Sequence, residues 1–237
     1  MRMKLVSSHL LSSFAVLAIN LIYAMPAKAQ VIRDVAQHPI ESPSITRMVK
    51  GGIIQLVGVG TFAPDQVMNR GDFSTSVARS FRINLATVPI IAIAPYAARQ
   101  AFCPGCQLTT NNQPKAVMSR AEAIVTTVRA LGATGHVTSL SSSEIEAVLQ
   151  PLADAKELSP LLAPFFAIAI KNQLILLDSP VGPSLAGVGP IKGASLNPHA
   201  QLTRAYAAVL MDHAAQTANA KVAPPLHVLP PARKVMP

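Results

Sequence analysis

The sequence predicts a mainly α-helical protein assembled from three copies of one helix–loop–helix unit. A ten-residue box occurs three times without gaps: PDQVMNRGDF at 64–73 (box 1), PKAVMSRAEA at 114–123 (box 2) and PHAQLTRAYA at 198–207 (box 3). In every box a proline stands six residues before an arginine, and Asn, Ser or Thr immediately precedes that arginine. Apolar residues around the boxes recur at helical spacing. A unit of about 50 residues buries little surface alone, so the three copies should share one core.

The N-terminal residues 1–29 have the features of a secretory signal peptide. A basic MRMK start precedes an apolar run at 5–24, and Ala27 and Ala29 fit a small-residue cleavage site. The alternative is an uncleaved membrane anchor, because the run approaches the ~20 residues that a span needs. Ser and His residues dilute the run, so we expect export to the periplasm, cell wall or cell surface, without a transmembrane span in the mature chain.

Module 1 is predicted at residues 30–83, with two helices around an extended loop. One face of its first helix carries apolar residues at helical spacing, namely Ile45, Met48, Val49 and Ile53. Gly51 and Gly52 are expected to end this helix. The second helix is expected to begin after the N-cap residue Asn69.

The remaining boundaries follow from the boxes and from changes in composition. They are module 2 at 84–131, which is divergent, a flexible linker at 132–149, module 3 at 150–218 and a Pro-rich basic tail at 219–237. Ser119 and Thr203 are the expected N-caps of the second helices of modules 2 and 3. The first helix of module 3 is expected to open at a Ser-Pro pair, Ser159-Pro160. The Pro/Gly-rich stretch 178–195 is interpreted as a loop inserted into module 3.

Each box places an arginine where a helix dipole disfavours it. Ser119 and Glu122 form a capping-box pattern, so Arg120 falls at the first helical position, where a cation costs roughly 0.3–1 kcal/mol. A bound anion would remove this conflict, because free N–H groups at a helix start and a guanidinium both bind carboxylates. The alternative is structural: each arginine pairs with an acidic residue of a neighbouring copy, such as Asp34 or Asp154.

Composition limits the classes of function. The formal net charge is +9; removal of the signal segment with Arg2, Lys4 and Lys28 lowers it to +6. A basic exported protein suits an anionic surface, whereas no tract combines dense Lys/Arg with aromatic residues, so nucleic acid is not expected. The six His residues are scattered, and no nucleophile elbow is present. We therefore expect no enzyme, cofactor or metal site.

The two cysteines, Cys103 and Cys106, stand in the sequence FCPGCQ. In an oxidising compartment they can close a small structural disulfide or remain a free pair. A CxxC pair is also the redox arrangement of thioredoxin-like proteins, but the βαβ context that this needs is not visible nearby. Two sulfurs make only half of a zinc site, and no His stands at ligand spacing.

The boxes and their surroundings resemble the S-layer homology family. The matching features are an Asp-Val opening at 34–35, a Gly-Ile-Ile at 52–54, a Gly-Thr-Phe-x-Pro at 60–64, and boxes similar to Ile-Thr-Arg-Ala-Glu. The resemblance spans about residues 31–215. It implies three prongs of short helices with pseudo-threefold symmetry, whose grooves bind anionic cell-wall polysaccharide. The ligand contacts that it implies are Arg70, Arg120 and Arg204, with Asp72 and Glu122 beside them.

Several departures from the family pattern affect this expectation. The family's tryptophan is replaced around His38, only box 2 keeps Arg-Ala-Glu, and box 3 has Tyr206 where an acidic residue is usual. One or two of the three grooves are therefore expected to be competent. The alternative function is an envelope module that binds another protein, with grooves degenerate for sugar. A third hypothesis is a thiol redox protein that uses Cys103 and Cys106.

Overall fold

The computed structural model describes residues 31–81, 114–132, 139–179, 182–186 and 192–220, and the described residues from Ile32 onward belong to one compact unit. The predicted signal peptide, the pair Cys103 and Cys106, and the tail from residue 221 onward lie outside these ranges. The helices are α1 (Ser42–Lys50), α2 (Arg70–Ser80), α3 (Arg120–Ala130), α4 (Ser142–Leu149), α5 (Ala163–Lys171) and α6 (Arg204–Ala220), with a 3₁₀ turn at Ala155–Glu157. The strands are β1 (Leu176–Ser179) and β2 (Gly182–Leu185). The prediction of a mainly α-helical protein is confirmed.

Helix α1 forms and ends for local reasons. Ile45 and Met48 lie on its buried face, and Pro43 stands in its first turn. The Gly51 N–H donates to the Arg47 carbonyl at 2.9 Å, and Gly52 follows with a φ of +68°. Only glycine adopts that left-handed conformation without steric cost, so the Gly-Gly pair terminates the helix.

The helices α2, α3 and α6 each begin directly after a capping side chain. Asn69 Oδ1 accepts a hydrogen bond from the Asp72 N–H at 2.8 Å. Ser119 and Glu122 form the reciprocal capping box. Thr203 Oγ1 accepts from the Tyr206 N–H at 3.2 Å. The box arginine is therefore the first helical residue in all three helices.

Two helices differ from the sequence-based expectation. Helix α4 lies inside the predicted linker, because Ser141 and Glu144 form a second capping box and Leu149 is buried in the core. Helix α5 begins at Ala163 rather than at the Ser159-Pro160 pair. A turn precedes it, in which the Leu162 N–H donates to the Ser159 carbonyl at 2.9 Å.

The stretch predicted to be an inserted loop, 178–195, contains β2 and the second half of β1, which together form a β-hairpin. β1 and β2 are antiparallel, with Leu176 opposite Leu185 and Ser179 opposite Gly182. Leu176 and Leu177 are buried, so the apolar run before the Pro/Gly-rich segment continues into a strand. Asp178 is further fixed by two backbone hydrogen bonds that it exchanges with Ser195, at 2.9 and 2.7 Å.

Helix α6 is the centre of the core. Every residue from 204 to 212 is buried, which is typical of a helix packed on all sides, and α1, α2 and α3 all contact it. Its buried Asp212 accepts hydrogen bonds from Ser44 Oγ at 2.7 Å and Arg47 Nη2 at 2.6 Å. Burial alone raises the pKa of Asp212, but the hydrogen bonds from Arg47, Ser44 and Gln216 outweigh it and hold that pKa below its usual value.

Among the helices of the described ranges, none combines the length and apolar character needed to cross a membrane.

Candidate functional site

The three boxes meet in a closed ring of backbone hydrogen bonds. The Met68 N–H donates to the Leu202 carbonyl at 2.8 Å, the Leu202 N–H to the Met118 carbonyl at 2.8 Å, and the Met118 N–H to the Met68 carbonyl at 3.1 Å. These residues occupy the same position, two before the box arginine, and all three side chains are buried. Equivalent positions of the three boxes therefore bond to one another in a cycle.

A second set of hydrogen bonds runs around the same ring. The first two helical residues of each box donate their N–H groups to carbonyls four and six residues before the arginine of the next box. The pairs are Arg70 to Ala116 (3.0 Å), Gly71 to Pro114 (2.8 Å), Arg120 to Ala200 (2.9 Å), Ala121 to Pro198 (3.0 Å), Arg204 to Gln66 (2.9 Å) and Ala205 to Pro64 (3.0 Å). All three boxes share the same spacing from proline to arginine. This spacing places the proline carbonyl where it accepts from the second helical N–H of the preceding box.

These bonds change the interpretation of the helix starts. A helix normally leaves its first N–H groups without intrahelical partners. In α2, α3 and α6 the neighbouring box accepts from the first two helical residues, and the capping side chain accepts from the third. The expectation that free N–H groups form an anion site at these helix starts is therefore wrong, and any anion binding depends on the arginine side chains.

The arginine of box 1 pairs with an acidic residue of box 2. Arg70 Nη2 donates to Glu122 Oε1 at 2.5 Å, and the two side chains are 17% and 6% exposed. The other Glu122 oxygen, Oε2, accepts from the Ser119 N–H at 2.8 Å. This carboxylate therefore caps its own helix and neutralises the arginine that the preceding box places beside it, as the structural alternative for the arginines expects.

The arginine of box 2 faces the tyrosine of box 3. The guanidinium carbon of Arg120 lies 4.6 Å from the centre of the Tyr206 ring, where boxes 1 and 2 carry Asp72 and Glu122 at the equivalent helix position. We call the place where a box arginine meets the next box a junction. The carboxylate at the Arg120 junction comes from the hairpin instead. Arg120 Nη1 donates to Asp178 Oδ2 at 2.5 Å, and the side chains are 14% and 38% exposed. Asn197 Nδ2 donates to the same oxygen at 2.6 Å.

The arginine of box 3 is buried against box 1 and the loop before it. Arg204 is 7% exposed, its Nε donates to the Phe62 carbonyl at 2.7 Å, and its Nη2 donates to the Gln55 carbonyl at 2.5 Å. Burial lowers the pKa of Arg204, and the charges of Asp72 and Asp34 partly oppose that effect. This arginine satisfies main-chain carbonyls and packs on the Phe62 ring, 4.7 Å from its centre.

Asp34 and Asp154 hold the loops before the boxes, and neither forms an ion pair with a box arginine in the described ranges. Asp34 accepts from the N–H groups of Phe62 and Ala63, and Asp154 accepts from those of Leu196 and Asn197, at 2.7–3.1 Å. Ala63 and Asn197 both have left-handed backbones, with φ of +55° and +48°. The suggestion that these two aspartates pair with the arginines is therefore wrong.

Sequence reasoning missed the part that Asp178, Asn197 and Tyr206 play at the Arg120 junction. One signal was present: Tyr206 replaces the acidic residue that the other boxes carry, so Arg120 needs a carboxylate from elsewhere. No cluster of His, Cys, Asp and Glu able to hold a metal ion occurs in the part of the chain that the structure describes.

Comparison with known families gives one match. Residues 31–74 match the family model of the S-layer homology domain, a segment that runs through α1, the loop at 60–64 and box 1 into the first turn of α2. No curated protein matches the chain. The resemblance drawn from the residues is confirmed for this segment.

Proposed function

We propose that this chain attaches non-covalently to an anionic polysaccharide of the bacterial cell envelope. The support is that residues 31–74 match the S-layer homology domain, a non-catalytic module that generally anchors proteins to cell-wall polymers at the cell surface. The polymer would be a wall polysaccharide or one linked to peptidoglycan. The formal charge, +6 after removal of the predicted signal segment, supports this, since a basic protein concentrates on anionic surfaces. Attachment of this kind needs neither a cofactor nor a metal.

We further propose that boxes 2 and 3 mark a second and a third module of the same kind, in a pseudo-threefold arrangement. The closed cycle of hydrogen bonds through Met68, Met118 and Leu202 supports this proposal, because equivalent atoms of three equivalent segments take part. The matching roles of Asp34 and Asp154 in modules 1 and 3 also support it.

For the ligand contacts we propose Arg120 and Arg70, with Glu122 beside Arg70, whereas the charge of Asp72 acts on Arg204. Both arginines retain some exposure, and the Nε atom of each is buried without a hydrogen-bond partner in the described ranges. A guanidinium edge with an unused donor is suited to a carboxylate. Arg204 has a structural role in this proposal, since it is buried and its Nε and Nη2 donate to the Phe62 and Gln55 carbonyls.

Binding to purified wall sacculi tests the proposal. Wild-type protein should co-sediment with intact sacculi and lose most of this binding when the acidic polysaccharide is removed. Arg120→Gln should weaken binding at least fivefold. Lys115→Gln, an exposed box 2 residue of the same charge, is the matched control and should change binding less than twofold. Equal binding to intact and stripped sacculi would refute the polymer as ligand.

The alternative, docking of another envelope protein, has one supporting observation. Val57 and Val59 are 52% and 84% exposed on a tight turn that the Gly58–Thr61 bridge closes. Two neighbouring exposed apolar side chains could form part of a contact surface for another protein. Replacement of both by Ser would release the protein from the envelope under this alternative, whereas polymer binding predicts that it stays attached.

A further inference from the structure

We infer that Asp178 is an internal carboxylate that occupies the ligand position on Arg120, so that an external carboxylate binds this junction by displacing it. The inference rests on the proposed function and makes it more specific. The hairpin, which carries Asp178, would then set the affinity of the Arg120 junction for an external carboxylate.

The arrangement of the three junctions supports this assignment. At the Arg70 junction the carboxylate belongs to the next box and is built into its helix start, because Glu122 also accepts from the Ser119 N–H. At the Arg120 junction the corresponding residue is Tyr206, whose ring lies under the guanidinium and leaves the edge of the guanidinium to other acceptors. Asp178 supplies an acceptor there from outside the boxes, 58 residues away along the chain.

The Asp178 side chain can leave Arg120 without dismantling the fold. Its residue is held by backbone hydrogen bonds to Ser195 and by the pairing of β1 with β2, and these do not involve the carboxylate. The side chain is 38% exposed, against 6% for Glu122. Water screens the Asp178 end of this ion pair, and an incoming carboxylate would replace the charge partner of Arg120, which is only 14% exposed, so the net cost of the exchange is small.

The vacated junction offers donors for a carboxylate. Arg120 presents Nη1, which now donates to Asp178. The Asn197 amide, also bonded to Asp178, points at the same place. A carboxylate on a sugar chain, such as that of a uronic acid, can accept from both the guanidinium edge and this amide. The hydrogen bonds to Asp178 thus mark the donors that a ligand would use.

The expected effect follows from competition. When only a fraction of the molecules has Arg120 free, the observed dissociation constant rises in inverse proportion to that fraction. If Arg120 is free in about one molecule in ten, removal of the internal carboxylate tightens binding about tenfold.

Binding isotherms on intact sacculi test the inference with Asp178→Asn and Asp178→Ala. Alanine removes the acceptor that asparagine would retain. Both variants should bind about tenfold more tightly than wild type. The matched control is Glu146→Gln, an exposed residue of α4 whose replacement changes the net charge equally and should alter binding less than twofold. The double variant Arg120→Gln/Asp178→Asn should lose the gain. Urea denaturation of each variant verifies that it is folded.

The outcomes separate this inference from the proposed function. If wild type binds and neither Asp178 variant binds more tightly than Glu146→Gln, the inference is wrong and the proposed function stands. If the Arg120–Asp178 ion pair is purely structural, the Asp178 variants should show this unchanged binding together with a lower urea midpoint of unfolding. If wild type does not bind but the Asp178 variants do, the inference is supported in its strongest form. If no variant binds intact sacculi, both are wrong.

Discussion

The Asp212 carboxylate joins α1 to the central helix α6, and its replacement should be costly. Asp212 is 3% exposed on α6 and accepts from Ser44 and Arg47 of α1. Asp212→Asn removes the charge from these bonds, and hydrogen bonds to charged groups contribute about 1.5–3 kcal/mol. Arg47 is 52% exposed, so water screens much of its attraction. We therefore expect a loss of about 2 kcal/mol in the free energy of unfolding.

Asp212→Ala should cost more, because it also leaves the buried Ser44 hydroxyl without its acceptor. An unsatisfied buried group adds about 1–3 kcal/mol. Urea denaturation measures both values, with Asp65→Asn, whose side chain is 86% exposed, as the control. A loss below about 0.5 kcal/mol for both Asp212 variants would refute the reasoning, since exposed charges typically contribute no more than that.

The contribution of Asp212 to the free energy of unfolding should depend on pH in one direction. The folded-state pKa of Asp212 lies below its usual value, so the carboxylate stabilises the fold above the unfolded-state pKa of about 3.9. That stabilisation is lost as pH falls through the folded-state pKa. The difference in unfolding free energy between wild type and Asp212→Asn should therefore be constant near pH 7 and shrink below about pH 4.

Three further substitutions test other contacts by their thermal midpoints. Gly71→Val should destabilise by about 2 kcal/mol, because a Cβ at Gly71 would lie 3.1 Å from the Pro114 carbonyl of the ring. Ala63→Gly should stabilise by about 0.5 kcal/mol, because alanine at φ +55° carries steric strain that glycine lacks; an unchanged or lower midpoint would contradict this. Tyr206→Phe should be neutral or slightly stabilising, because the buried hydroxyl has no hydrogen-bond partner within the described ranges; a loss above about 1 kcal/mol would reveal a missed partner.

The sequence predicts best those features that depend on neighbouring residues. The helix starts at Arg70, Arg120 and Arg204 follow from a capping side chain and its third neighbour, which both lie within one turn. The end of α1 follows from Gly51 and Gly52 in the same way. The repeated pattern of the three boxes can be read directly from the sequence, and it indicated that the three helix starts are equivalent.

The sequence does not predict the partners of the arginines, because these partners are distant along the chain. Glu122 is 52 residues from Arg70, and Asp178 is 58 residues from Arg120. The ring of backbone bonds brings Glu122 to Arg70, and the pairing of Asp178 with Ser195 brings Asp178 to Arg120; no local side-chain pattern encodes either contact. The hairpin escaped prediction because Gly and Pro in β2 are typical of loops, while its pairing depends on the buried Leu176 and Leu177.

Nuclear magnetic resonance of the arginine Nε–H groups, during titration with solubilised acidic wall polysaccharide, tests most directly where the polymer binds. We expect saturable shifts at Arg120, smaller shifts at Arg70, and little change at the buried Arg204 or the exposed Arg33. Asp178→Ala should reach saturation at a lower polymer concentration than wild type. Shifts confined to arginines away from the box junctions, such as Arg33, or no shifts at saturating polymer, would contradict this expectation.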